Sequence, residues 1–225
     1  MIPSTAVLLS LAILNAAPDA SGPVATKRSA SSEILELVRG KRKFDPEDVP
    51  LVVRAMRRAG VENFVCSIDP SSGDVSISTD TKHVPHLDIK PGSCPNPIQI
   101  RGGAFATVAT GVLGNAFDVT QVDLASVRLS RSAPTDFLTD PQVVPIHITF
   151  SDVGTPFDGT GCQCAALGPD GILDLSVQYN KQDLITLLKL DAEPNGSSVP
   201  LQVTGLSKNS ETVFAATDCV LIQIR

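Results

Sequence analysis

Turn residues set the terms for this chain. Gly, Pro, Asn and Asp interrupt its apolar segments so often that most pieces between them are too short for helices. From Asn63 onward those pieces alternate apolar and polar side chains, the period of a half-buried strand. Phe64-Val65-Cys66-Ser67-Ile68-Asp69 and Asp74-Val75-Ser76-Ile77-Ser78 flank Pro70-Ser71-Ser72-Gly73, which predicts a strand, a tight turn and a returning strand. Further strands are predicted at residues 87–90, 98–101, 105–113, 126–129, 144–150, 173–178, 201–206 and 219–224, with one helical insert at 181–188. Many short strands at such spacing predict a mainly β fold, an antiparallel β-sandwich of the Ig-like kind. A length of 225 residues, 42% of them apolar, is enough to bury its core without metals.

Two short helices precede the strands. Ser32 is placed to cap a helix over residues 33–39, with Ile34, Leu35 and Val38 on one side and Gly40 ending it. In the second, Asp45 is a natural N-cap, Pro46 suits the first helical position, and Glu47 and Asp48 favour the positive end. Leu51, Val52, Ala55 and Met56 form its apolar stripe, with Arg57 and Arg58 in the last turn and Gly60 beyond. Both are expected to form a helical N-terminal appendage. Lys41, Arg42, Lys43, Arg54, Arg57 and Arg58 make a basic cluster in a chain of net charge −6. It reads as a solvated helix face before it reads as a docking surface for an anionic partner.

Residues 6–14, AVLLSLAIL, form a continuous apolar run too short to anchor in a bilayer. Small residues follow through Ala20, the order of a cleaved export signal, although no Lys or Arg precedes the run. Cleavage after Ala17 or after Ala20 fits equally. The expected organisation is a signal at 1–20, a lead-in with two helices at 21–62, a β-hairpin and linker at 63–85, and the sandwich at 86–225. The expected location is outside the cytoplasm, extracellular or periplasmic.

An exported chain can keep disulfides. Its five cysteines are Cys66, Cys94, Cys162, Cys164 and Cys219, so one has no partner within the chain. Connectivity is open. A bridge from Cys94 to Cys219 would close the longest loop of the β-rich part and stabilise it most. Cys162-Gln163-Cys164 is too tight for a structural zinc knuckle.

The β-rich part opens on His86-Leu87-Asp88-Ile89-Lys90-Pro91-Gly92-Ser93-Cys94-Pro95-Asn96-Pro97-Ile98. It continues with Phe117-Asp118-Val119-Thr120-Gln121-Val122-Asp123, then Gly168-Pro169-Asp170-Gly171-Ile172-Leu173-Asp174-Leu175, and closes on Asp218-Cys219-Val220-Leu221-Ile222. These phrases, in this order over residues 86–225, resemble a module of bacterial exported and cell-surface proteins with an IDIKPGSxPNPI-like opening. The resemblance implies an exported β-sandwich-like module and no established activity. The departure is at residues 101–109, where Gly102-Gly103 breaks the expected apolar strand. Cys66 lies outside the resembling part and is the expected free thiol.

In related modules the acidic turn often reads DxDGDG, like a calcium loop, since a hard cation takes six to eight oxygens. Asp152, Asp158, Asp170 and Asp174 are therefore candidate ligands for a structural calcium, against the simpler reading of Asp170-Gly171 as a turn. His83, His86 and Asp88 are close in sequence but read as structural groups before ligands, and His147 as a packed or edge histidine. No G-x-S-x-G, H-E-x-x-H or G-x-x-x-x-G-K-[ST] pattern occurs. Asn195-Gly196-Ser197 fits a glycosylation acceptor, which matters only in a eukaryotic secretory route.

Acidity and scarce aromatics, 4% with no Trp, argue against a nucleic-acid partner. The expected role is a non-enzymatic structural or adhesive module facing a cell-surface polymer or protein. A carbohydrate- or ligand-binding module is the alternative. A secreted hydrolase with a convergent site comes third.

Overall fold

The computed structural model describes residues 32–80, 83–101, 109–114, 117–132, 141–154, 162–163 and 168–224. The predicted export signal, most of the lead-in, Asp158, Cys164 and the start of the 105–113 strand lie outside those residues.

Helices α1 (residues 32–37) and α2 (Asp48–Arg58) come first. The hairpin β1 (Phe64–Ile68) and β2 (Val75–Ser78) forms as predicted. Then follow β3 (His86–Ile89), β4 (Asn96–Gln99), β5 (Ala109–Gly114), β6 (Arg128–Arg131), β7 (His147–Ser151), β8 (Asp174–Tyr179), α3 (Lys181–Leu187), β9 (Ser198–Leu206) and β10 (Thr212–Gln223). One sheet runs β2-β1-β10-β9-β6, with β4 added beside β10, and the other runs β3-β5-β8-β7. The molecule is a mixed α/β domain in which two antiparallel sheets pack together. One pairing corrects the all-antiparallel expectation: β4 runs parallel to β10, Asn96 opposite Val220 and Ile98 opposite Ile222.

Strand alternation sorts the side chains into two cores. Between the sheets, Leu87 and Ile89 of β3, Leu175, Val177 and Tyr179 of β8, and Val199, Leu201 and Val203 of β9 meet Phe214, Ala216, Val220 and Ile222 of β10. On the other face of β10, Val213 and Ala215 join Phe64, Cys66 and Ile68 of β1 under Ile34, Val52, Val53 and Met56 of the helices. The helices are therefore a third layer, not an appendage. The hairpin too is built in, since β1 pairs with β10 from Phe64 opposite Ala215 to Ser67 opposite Thr212.

The second helix starts later than predicted. Asp45 is not its N-cap; Glu47 stands there, and Pro46-Glu47 form a preceding turn. The cause is Asp48, whose carboxylate accepts the Asp45 N–H at 2.8 Å and takes Lys41 Nζ at 2.7 Å. Those bonds hold the chain in a turn that continues into the helix.

The Phe214 ring of β10 lies over its partner on β9 and leaves no room for a side chain there. Gly205 faces Phe214, and a Cβ there would sit 2.7 Å from the Phe214 ring. Phe214 also meets Phe117 with ring centroids 5.1 Å apart.

Candidate functional site

The strands that lie side by side are joined at one corner by a single buried carboxylate. Asp218 sits in the middle of β10 on the face turned toward the second sheet, and is only 3% exposed. Its oxygens accept N–H groups from four directions. Ile89 N of β3 donates at 2.7 Å, Asn96 Nδ2 of β4 at 2.8 Å, and Cys219 N at 2.7 Å, with Cys162 N as the fourth donor. Asn96 Nδ2 also reaches Cys219 O at 3.1 Å. One side chain thus ties an edge strand of the second sheet, the parallel strand β4 and the segment at residue 162 to β10. Burial pushes its carboxyl up against the downward pull of the backbone donors.

A disulfide reinforces the same corner. Cys162 is bonded to Cys219, and Cys94 is also disulfide-bonded. The expected Cys94–Cys219 bridge is corrected. Cys162 is held at Cys219 because its own N–H is donated to Asp218, the residue before Cys219. Cys66 is the free thiol, as expected, and burial under the helices raises it to about 12. Such a thiol is inert at neutral pH.

The acidic turn is assembled between β7 and β8. Asp152 accepts Asp170 N and Gly171 N, both at 2.9 Å, one on each oxygen. Asp174 is buried and accepts Val153 N at 2.8 Å and Gly154 N at 2.6 Å on Oδ2. Asp170 Oδ1 caps Ile172 N at 2.8 Å. Asp152, Asp170 and Asp174 are therefore brought together, and their visible work is to hold backbone N–H groups of the turn. Among the described residues no group of three or more His, Cys, Asp or Glu side chains converges as a metal set.

The remaining candidates separate. His83 pairs with Asp80 at 2.9 Å on an exposed turn. His86 is buried, and desolvation lowers it to about 4. His147 is exposed on β7, an edge histidine. The basic cluster is largely consumed internally. Lys41 bridges Asp45 and Asp48, Arg42 donates to Ser71 O, and Arg58 meets Glu33. Arg57 crosses from α2 to the sheet, donating from Nε to Gln202 Oε1 at 2.8 Å and from Nη2 to Ser130 Oγ at 3.1 Å.

One surface has no signal in the motifs. β7 is the edge strand of its sheet, and around it Val144, Ile146, Phe150, Val153 and Leu173 are exposed, Val144 by 57% and Ile146 by 53%. Residues 141–151 carry no Lys, Arg, Asp or Glu. Alternation in this stretch points to a strand but not to which face lacks a cover. No helix among the described residues is long and apolar enough to cross a membrane. No family model matches the chain, and no curated protein or solved structure does either.

Proposed function

We propose that the chain is an exported, non-enzymatic β-sandwich module, Ig-like in organisation, with a structural or adhesive role at the cell exterior. Export is supported by the Cys162–Cys219 bridge, since disulfides persist in oxidising compartments and are rare in reducing ones. The adhesive part rests on β7. An edge strand offers unpaired backbone groups, and proteins that do not use such an edge usually blunt it with charge. This edge is uncharged and rimmed by Val144, Ile146 and Phe150. It is suited to take an extended apolar segment of a surface protein by strand addition.

Co-sedimentation with cell-envelope material from the source organism tests the adhesive role. The full chain is expected in the pellet, and the Ile146→Lys/Phe150→Lys variant in the supernatant. A wild-type chain that stays in the supernatant removes that role. A calcium-stabilised form of the module is a separate proposal, supported by the shared position of Asp152, Asp170 and Asp174 in one turn. A higher Tm with calcium than with chelator supports it, and equal values remove it. Against sugar stacking, Phe150 is the only exposed aromatic side chain among the described residues.

A further inference from the structure

The open edge at β7 is symmetrical about one of its residues. Ile148 stands opposite Val177 and packs against the core between the sheets. Phe150, opposite Leu175, shares that face by strand alternation. Ile146 takes the matching place on the other side, held beside β8 by its N–H, which donates to Gln178 O at 2.8 Å. Ile146 and Phe150 are exposed, by 53% and 42%, whereas Ile148 between them is half-buried. The core therefore reaches solvent here through two apolar side chains, one on each side of Ile148 and equally far from it. The other face of the strand is polar, with His147 and Thr149 exposed. Residues 141–151 offer no Lys, Arg, Asp or Glu to either face.

We propose that the occupant of this edge is a second copy of the chain, β7 pairing antiparallel with β7 of its copy about a two-fold axis at Ile148. The inference rests on the reading of β7 as an edge that takes a strand, and names the strand. In this register residue 146 of each copy faces residue 150 of the other, so each exposed Ile146 is covered by a Phe150 and Ile148 meets its counterpart on the axis. His147 stands opposite Thr149 on the polar face. Neighbouring registers fit worse. An axis at Thr149 sets Ile146 against Asp152, and an axis at His147 runs the ladder through Pro145, which has no N–H to donate. A two-fold axis also brings every charge beside it close to the same charge of the other copy, and residues 141–151 hold none to repel. A strand from an unlike partner would need no such symmetry. β7 has only five residues, so the pairing is that of a weak dimer, with a Kd on the order of 10 μM.

Sedimentation equilibrium of the full chain between about 1 and about 200 μM tests this, and a monomer–dimer equilibrium is expected across that range. Ile146→Lys and Phe150→Glu should each weaken the dimer by more than about tenfold, because each sets a charge against an apolar side chain in both halves of the interface. An equimolar mixture of the two variants should regain it, since the substituted residue 146 of one then faces the substituted residue 150 of the other with opposite charge. A monomer throughout, a dimer indifferent to both substitutions, or a mixture that stays monomeric overturns the proposal. Should a variant not fold, hydrogen exchange in wild-type residues 147–151 decides: protection must rise with concentration, and equal protection at both ends of the range overturns the pairing. A monomeric chain that still pellets with envelope material overturns the second copy and leaves the adhesive reading standing. A dimer that stays in the supernatant removes the adhesive role and leaves the pairing standing.

Discussion

Removing both Cys162 and Cys219 is the perturbation with the largest effect that can be worked out from the structure. The bridge joins positions 57 residues apart. Cross-linking a loop that long removes about 14 cal/mol/K from the unfolded chain, or about 4 kcal/mol at 25 °C. Cys162→Ala/Cys219→Ala keeps the backbone N–H groups that Asp218 accepts, so the hydrogen-bonded corner is not cut directly. Urea unfolding of the oxidised wild type and the double variant, followed by circular dichroism, measures the difference. We expect a loss of about 4 kcal/mol, with a larger m-value for the variant because its unfolded chain is less constrained. A loss under about 1 kcal/mol would refute the reasoning: the Asp218 hydrogen bonds would then be holding the corner without help from the bridge.

Gly205→Ala should destabilise the fold by about 2 kcal/mol, read from the same urea curves, because its Cβ meets the Phe214 ring head-on. An unchanged midpoint would mean that the Phe214 ring does not lie over Gly205. Arg57→Ala strips the Nε donor from Gln202, which is fully buried, and should cost about 2 kcal/mol. Arg58→Ala, at an exposed ion pair, should cost under about 1 kcal/mol, so equal losses would contradict the placement of Arg57. Desolvation first, and the Asp218 charge second, raise the Asp88 carboxyl to about 6, so charging it above that pH opposes folding. Asp88→Asn should therefore stabilise the protein at about pH 7.5 by about 1 kcal/mol and have no effect below about pH 4, where the wild-type carboxyl is also neutral. Thermal melts across that range check the sign, and stabilisation confined to acid would be the wrong one.

Local chemistry makes much of the fold legible. The β1–β2 turn follows from Asp69, whose Oδ1 accepts Ser71 N at 2.7 Å, and from Gly73 at a φ of 81°. Residues 181–188 read as a helix because Asn180 caps it, accepting Gln182 N at 2.8 Å. Only the second half of β10 is legible. Val213 to Asp218 is buried on both faces, so its polar and apolar residues do not alternate, and period-two reasoning passes over it. The helical layer is hidden for a related reason. Apolar stripes on α1 and α2 show that they are covered, but not that β1 and β10 cover them.

Sites are less legible than strands. The acidic turn can be found because its residues are near one another in sequence, at 152 and at 170–174. Asp218, Asn96 and Cys162 meet only through folding: Asn96 lies 122 residues from Asp218, and Cys162 lies 57 residues from its bridge partner Cys219. The one local signal is a lone Asp between Ala215-Ala216-Thr217 and Cys219-Val220, a charge inside an otherwise buried strand. Such a group is found buried only when it is well hydrogen-bonded, and its partners cannot be named from neighbouring residues.

Export into an oxidising compartment is the central claim, and mass mapping of the full chain after expression in a bacterial host with a periplasm tests it most directly. The account predicts a processed chain beginning after Ala17 or Ala20 in the extracytoplasmic fraction, with Cys162 bridged to Cys219 and Cys66 carrying the free thiol. An unprocessed chain confined to the cytoplasm with all five thiols reduced would contradict it.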